Sequence, residues 1–446
     1  MPGKLNVYSL GEKGVNVVKS PIHLDDGELV SAQNVILNPE GETGGLQKRG
    51  GLSKLNSSAL AGGAVKGIIT VPLPDPGSTT TYLYAAQGTA DANTWYRTTD
   101  GATWTATTTP SSPQQNDKKP SSDVYYANLL VTLNGSLYYP SDAYTLDVTV
   151  PYDSGTAPPL MVWDYAQDLE VLTVPYNPIG TTANVPRVIL NMVQHRGNLY
   201  FSCHELGGTA PNHRGRVFKL DPSTGTLTQV GNRFGGGTNE NLGGMPYCLA
   251  SYNGYLWTGT YGIGGSAAGL IYRIQPGIDE TWTLDHTTAV GAGYITSMVS
   301  YRGDLFASTM ADAGSAALVL KRTAGTWSTT RTGPTTTPGY YNALTVFNST
   351  LFVCYVDIGA GSRTLVDSYD GTTWSNDLNV GTTYAVRDTG ATITFGGNLY
   401  WAFCATGSGL GNSDGFVLKR TTGGVWTQPL ASANVRGYLG LVEVTA

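Results

Sequence analysis

This chain is short of charge. Only 13% of its 446 residues are Asp, Glu, Lys or Arg, about half the ~25% of an ordinary globular domain. The net charge is −6 and no Lys/Arg run occurs. A tight or sequence-specific DNA binder presents a basic stripe, so specific nucleic-acid binding is not expected. An acidic surface past which DNA slides without sticking remains compatible. No apolar run approaches the ~18 residues of a membrane-spanning helix. The first residues, Met1-Pro2-Gly3-Lys4-Leu5, have no signal-peptide core, which predicts synthesis in a cytosol. The four cysteines, Cys203, Cys248, Cys354 and Cys404, form no CxxC pair. They read as buried thiols acting as small apolar groups. His204 beside Cys203 lacks a second spaced ligand pair, so neither metal nor cofactor is expected. Serine nucleophile elbows, phosphate-binding loops and HExxH are absent.

What is present is a repeat. An aromatic, Leu or His residue, a tight turn, one variable residue, Leu and an aromatic recur six times. Examples are His195-Arg196-Gly197-Asn198-Leu199-Tyr200, Tyr252-Asn253-Gly254-Tyr255-Leu256-Trp257 and Phe395-Gly396-Gly397-Asn398-Leu399-Tyr400. With Gly135, Gly197, Gly254, Gly303, Ser349 and Gly397 as markers, the spacings are 62, 57, 49, 46 and 48. That is the period of a β-propeller blade with some long loops. Asn-Gly and Gly-Gly between apolar runs mark two-residue hairpins, because both central residues need φ > 0. The flanking runs are of strand length, rich in β-branched and aromatic residues.

A second hairpin follows in each unit, as in Val319-Leu320-Lys321-Arg322-Thr323-Ala324-Gly325-Thr326-Trp327 and Val417-Leu418-Lys419-Arg420-Thr421-Thr422-Gly423-Gly424-Val425-Trp426. Its Trp is expected to fill the wedge between neighbouring blades. Two hairpins make four antiparallel strands. Units at about 64–110, 123–170, 186–232, 244–285, 293–330, 340–378 and 389–429 predict an all-β propeller of seven four-stranded blades, with eight as the alternative. The second unit, interrupted by Pro151, Pro158 and Pro159, shows no clear second hairpin. The expected organisation is an N-terminal assembly segment (1–62), the propeller (63–430) and a C-terminal closing strand (431–446) that pairs with the first blade.

Residues 1–62 do not share the repeat. They contain Ala32, Asn34, Gly44, Gly45, Leu46, Lys48, Arg49 and Gly51, in an A-x-N element followed by a Gly-Gly-Leu-x-Lys-Arg-x-Gly stretch. This segment resembles that of tail nozzle (tail tubular protein B) components of tailed bacteriophages, although Gly50 stands where a Pro is common. The resemblance implies a virion structural protein, assembled in the host cytoplasm and acting in the tail or neck through protein–protein contacts. It further implies a homo-oligomeric ring, commonly sixfold, around the DNA exit channel. Its partners would be the adaptor or portal on one side and the tail fibres on the other. No enzymatic activity is expected on this reading.

Two other classes compete. A carbohydrate- or receptor-binding propeller would use its Tyr and Trp (27 and 9 residues) for stacking. Most of them fall at repeat-phased packing positions. The unphased Trp163, Tyr165, Tyr176, Tyr261, Tyr340 and Tyr341 lie near Pro- or Gly-rich insertions and are the candidate ligand or partner loops. A glycoside hydrolase needs two positioned carboxylates. Asp164, Glu170, Glu205 and Asp357 at strand ends share no pattern, and Glu240, Asp279 and Glu280 fall in outer loops. The Asp100-Gly101 and Asp370-Gly371 turns resemble the Asp-box turn of sialidases, shortened by one residue, and are read as structural.

Overall fold

A computed structural model describes residues 35–37, 46–48, 81–87, 94–107, 131–133, 136–140, 160–164, 169–172, 185–206, 214–222, 224–235, 244–261, 268–289, 291–311, 315–333, 339–357, 364–379, 386–405, 415–432 and 438–445. The described residues are all β, with no helix among them. The chain divides into two compact units, Met1–Thr70 and Val71–Ala446. In the first, β1 (Val35–Leu37) pairs antiparallel with β2 (Leu46–Lys48), Val35 opposite Lys48.

The second unit is a propeller-like arrangement of small antiparallel sheets. β3 (Thr81–Gln87), β4 (Thr94–Thr98) and β5 (Thr105–Thr107) form one meander. β6 (Val131–Leu133), β7 (Ser136–Pro140), β8 (Leu160–Asp164) and β9 (Leu169–Leu172) form the next. So the region that shows no second hairpin in sequence has one, with Met161 opposite Leu172. β10 (Val185–His195), β11 (Asn198–Leu206), β12 (Arg214–Leu220) and β13 (Leu227–Gln229) follow. Then come β14 (Met245–Tyr252), β15 (Tyr255–Tyr261), β16 (Leu270–Ile274) and β17 (Thr283–Thr287). β18 (Tyr294–Tyr301), β19 (Asp304–Met310), β20 (Leu318–Thr323) and β21 (Thr326–Thr332) make a further meander, as do β22 (Gly339–Phe347), β23 (Thr350–Asp357), β24 (Thr364–Tyr369) and β25 (Trp374–Asn379). These last three meanders are joined through the single pairs Tyr261↔Tyr294 and Met310↔Tyr340. β26 (Val386–Phe395), β27 (Asn398–Ala405), β28 (Gly415–Arg420) and β29 (Trp426–Ser432) form a separate sheet, and β30 (Tyr438–Thr445) pairs with β3, Thr81 opposite Thr445.

The first strands lie side by side in the order β6, β10, β14, β18, β22, β26, β30 and back to β6. The repeated phrase explains how they are held. Its turn residues adopt φ near +50° and +75°, as in Asn253-Gly254 and Gly396-Gly397, the geometry a tight hairpin demands. Its leading aromatic reaches the next sheet: Tyr252 Oη donates to Gly303 O at 2.7 Å and Tyr301 Oη to Ser349 O at 2.8 Å. The phrase's Leu is buried in each of these sheets; Leu199, Leu256, Leu305, Leu351 and Leu399 are all fully buried.

The Trp of four second hairpins also reaches back one sheet. The indole N–H groups of Trp282, Trp327, Trp374 and Trp426 donate to Val230 O, Asp285 Oδ2, Thr330 Oγ1 and Asp377 Oδ2 at 3.0, 2.7, 3.1 and 2.8 Å. Two of these contacts are ionic clamps. Arg322 grips Asp285 with Nε and Nη2 at 2.8 and 3.1 Å, and Arg420 grips Asp377 through the same atoms at 2.7 Å each. A bidentate Arg–carboxylate fork fixes direction as well as distance. At these four places the wedge is filled by rings whose polar ends are hydrogen-bonded, whereas the buried Trp104 Nε1 has no hydrogen-bond partner.

Candidate functional site

Two places in the second unit depart from plain packing. The first is on the axis. Five first strands bulge at matching heights, between Ile189 and Asn191, Pro246 and Cys248, Ile295 and Ser297, Asn342 and Thr345, and Thr389 and Thr392. A bulge turns backbone groups away from the partner strand. Side chains of the preceding sheet accept two of them: Leu249 N donates to Asn191 Oδ1 at 2.9 Å and Leu344 N to Ser297 Oγ at 3.2 Å. The bulges surround a cavity of about 180 Å³ lined by Asn191, Met192, Cys248, Leu249, Ser297, Met298, Ala343, Leu344, Ala391 and Thr392. Its one titratable lining group is Cys248, whose thiol burial pushes up to about 12. The cavity is smaller than the ~300–1,000 Å³ of most ligand pockets. It suits a small neutral molecule or water; the described lining offers no carboxylate pair for proton transfer at a glycosidic bond.

The second place is the seam between the sheet of β18–β21 and that of β22–β25. There Arg331 donates through Nε and Nη2 to Asp367 Oδ2 at 3.0 and 2.9 Å, and Tyr341 Oη to the same oxygen at 3.4 Å. Asp367 is 2% exposed, and its other oxygen, Oδ1, has no hydrogen-bond partner. The Arg331 side chain is 35% exposed. The repeat shows how unusual this is. Opposite the second strand, Asp367 occupies the place of Phe218, Leu320 and Leu418 in other sheets. On the outermost strands, Arg331 corresponds to Leu378 and Leu430. Tyr341 corresponds to Ile189 and Ile295. Asp367 is charged where other sheets carry Tyr96, Phe218, Tyr272, Leu320 or Leu418, while the phases of Arg331 and Tyr341 also hold Thr107, His286 and Thr389. Burial, and then the charge of Asp367, push the Tyr341 phenol above its ordinary range. Tyr341 is therefore a hydrogen-bond donor here and not a ready phenolate nucleophile.

The residues expected to form ligand loops are placed differently. Tyr340 and Tyr341 are not loop residues: they lie in β22 and are buried, 0% and 1% exposed. Gly339 opens that strand where a Cβ would collide with the Tyr355 phenol, so this glycine marks close packing. Trp163 lies in β8 and Tyr261 in β15. Tyr165 and Tyr176 lie outside the described residues, as do Ala32, Asn34, Gly45, Arg49 and Gly51 of the N-terminal segment; Leu46 and Lys48 lie in β2. Of the candidate carboxylates, Asp164, Glu170, Glu205 and Asp357 fall in β8, β9, β11 and β23. Asp279 caps a turn by accepting Gln275 N at 2.7 Å. Sequence reasoning missed Arg331 and Asp367. The signal was available: an Asp at a repeat phase that carries Tyr96, Phe218, Tyr272, Leu320 or Leu418 in other sheets.

The Asp turns are built as expected of structural turns. Asp100 Oδ1 accepts Ala102 N, Thr103 N and Thr98 Oγ1, each at 2.8 Å, and Asp370 Oδ1 accepts Thr372 N and Thr373 N at 2.7 Å.

No protein-family model matches this sequence, and no curated protein matches it. Several solved structures show a partial likeness. A Trypanosoma rangeli sialidase in complex with the inhibitor DANA is 11% identical, with a TM-score of 0.42, over 68% of this chain and 56% of its own. A putative 6-phosphogluconolactonase from Bacteroides uniformis is 13% identical, with a TM-score of 0.48, over 82% of this chain and 99% of its own. An α-L-arabinofuranosidase from Fusarium graminearum, in complex with an iminosugar inhibitor, is 12% identical, with a TM-score of 0.36, over 54% of this chain and 80% of its own. The chain spans 56% of the sialidase's length. The expectation that the chain is not an enzyme is withdrawn, as a sialidase and an arabinofuranosidase are among the structures it resembles. At this level of likeness they carry neither a substrate nor a site residue to this chain.

Proposed function

We propose that this chain is a recognition module, a seven-bladed propeller that presents one end to a carbohydrate or receptor. Support for seven blades comes from the seven first strands that touch in sequence and return on themselves, β30 serving the sheet of β3 to β5. The observation that carries the recognition reading is the asymmetry of the connections. At one end the first and second strands are joined by two-residue turns, such as 196–197, 253–254, 302–303, 348–349 and 396–397. The opposite end collects all the links from second to third strands and from one sheet to the next, including 108–130, 141–159, 173–184, 207–213 and 406–414. Long connections on a rigid scaffold are where binding functions concentrate. Arg331 lies near that same end, one residue before β21 closes at Thr332.

A glycan array probed with the full chain tests this, followed by titration of the hits. Saturable binding is the expected result, and its absence across the array and a cell-surface panel would overturn the reading. Cleavage of a bound glycan would make the same end an active site.

A second reading concerns where the module is mounted. Leu46 and Lys48, within the stretch that resembles tail nozzle components, belong to a hairpin in a separate unit, Met1–Thr70. This supports an assembly segment in a virion tail or neck, forming a homo-oligomeric ring with adaptor-side and fibre-side partners. DNA would then pass through the ring and not along the propeller axis, whose cavity of about 180 Å³ is too small for a duplex. Electron microscopy of the purified chain tests it: closed rings are expected, and monomers at every concentration would count against it.

A further inference from the structure

We propose that Arg331 reads an oxyanion on the ligand, so that the recognition end is selective for acidic sugars, those bearing a carboxylate or a sulfate. The inference rests on the recognition reading above and names its ligand class. A buried ion pair is a poor stabilising device: replacing such a pair by apolar residues of similar size is often neutral or favourable. The repeat already shows the apolar solution at these phases, with Leu378 and Leu430 for Arg331 and Leu320 and Leu418 for Asp367. His286 and Thr107 also stand at the phase of Arg331, but among the described sheets this seam is the one that brings a cation, an anion and a phenol together at these phases.

The geometry gives the trio a purpose. Asp367 is buried, while Arg331 is about one-third exposed. Nε and Nη2 are both drawn to one carboxylate oxygen, and the phenol of Tyr341 reaches the same oxygen. The guanidinium plane is thereby fixed before any ligand arrives. Nη1 is not engaged with Asp367, and about a third of the side chain is open to solvent. A planar guanidinium matches a carboxylate, sulfate or phosphate in two-point contact. Fixing the group beforehand reduces the ordering needed on binding. Asp367 and Tyr341 are positioning residues in this scheme.

The test titrates the full chain with four probes: an oligosaccharide ending in glucuronic acid, its sulfated counterpart, the neutral parent sugar and inorganic phosphate. Wild-type protein should bind one or both acidic sugars about ten- to a hundredfold more tightly than the neutral parent, the range of a charge-assisted contact. The double variant Arg331→Leu/Asp367→Leu restores the apolar pair of the other sheets. It should melt at or above the wild-type temperature and lose that preference while retaining neutral binding. Arg331→Lys keeps the charge but not the fork, and should weaken the preference measurably; this variant serves if the double variant fails to fold. Equal binding of acidic and neutral sugars by the wild type overturns the inference and leaves the recognition reading standing. Phosphate binding as tight as that of the acidic sugars overturns the assignment to a sugar. No binding of any sugar removes the recognition reading and this inference with it.

Discussion

Asp370 illustrates how a single exposed carboxylate sets the shape of a turn. Its Oδ1 takes the backbone N–H groups of Thr372 and Thr373, the pattern of an Asx turn. These bonds, that from Thr373 first and then the Thr372 hydroxyl and N–H, hold the carboxyl at about 2 against an ordinary 3.8. The folded value is depressed, so the benefit of ionisation is whole above pH 3.8 and fades as pH falls through about 2. Thermal melts of wild type and Asp370→Asn across that range should therefore differ most above pH 3.8 and converge near pH 2. A constant gap would show that the charge is irrelevant to the turn. Asp100 carries the same signature in sequence, and its turn packs so closely on Tyr400 that Gly101 has no room for a Cβ. Turn chemistry of this kind is local, which is why Asp-Gly and Asn-Gly were readable from the residues alone. Arg331 and Asp367 were not readable in that way. They are far apart in sequence, and each looks like an ordinary surface charge until the sheets are superposed on their repeat.

At the level of strands and sheets, stability is concentrated in the contacts from one sheet to the next. Asp285 in β17 receives Arg322 twice, Trp327 once and the guanidinium of Arg273 at 3.2 Å. Burial opposes the charge of Asp285, yet these donors outweigh it and hold the carboxyl below its usual range. Removing one partner of such a buried group leaves the others uncompensated, at a cost of about 3–5 kcal/mol. Asp285→Ala should show a loss of that order in urea denaturation. Asp377→Ala acts on the separate clamp of Arg420 and Trp426 and should add to it. A loss below about 1 kcal/mol for Asp285→Ala would place the clamp among weak surface pairs. The Trp positions were legible in sequence because they recur with the repeat; their acceptors were not, since they vary from a backbone carbonyl at Val230 to carboxylates at Asp285 and Asp377 and a hydroxyl at Thr330. The β8–β9 hairpin was missed because the connection 141–159 separates β8 from β7, and its prolines read as a break.

Over the whole second unit, the architecture followed from period and turn type, and the closing strand was visible as an unmatched apolar run at the end. Deleting β30 removes the only described strand paired with the open side of β3. It also removes the neighbour that both β26 and β6 touch. A chain ending at 432 should therefore unfold at lower temperature and with reduced cooperativity by calorimetry, and a melt indistinguishable from wild type would show that closure is dispensable. That same pairing has a mechanical meaning. Because β3 and β30 run antiparallel with Thr81 beside Thr445, tension applied to the two tails of this unit meets the ladder at its first rung. The bonds then break in succession, as in a zipper, instead of sharing the load in shear. An anchored propeller tugged by its far tail would yield by peeling open at low force, while a pull spread across the clamped sheets would be resisted by many contacts at once.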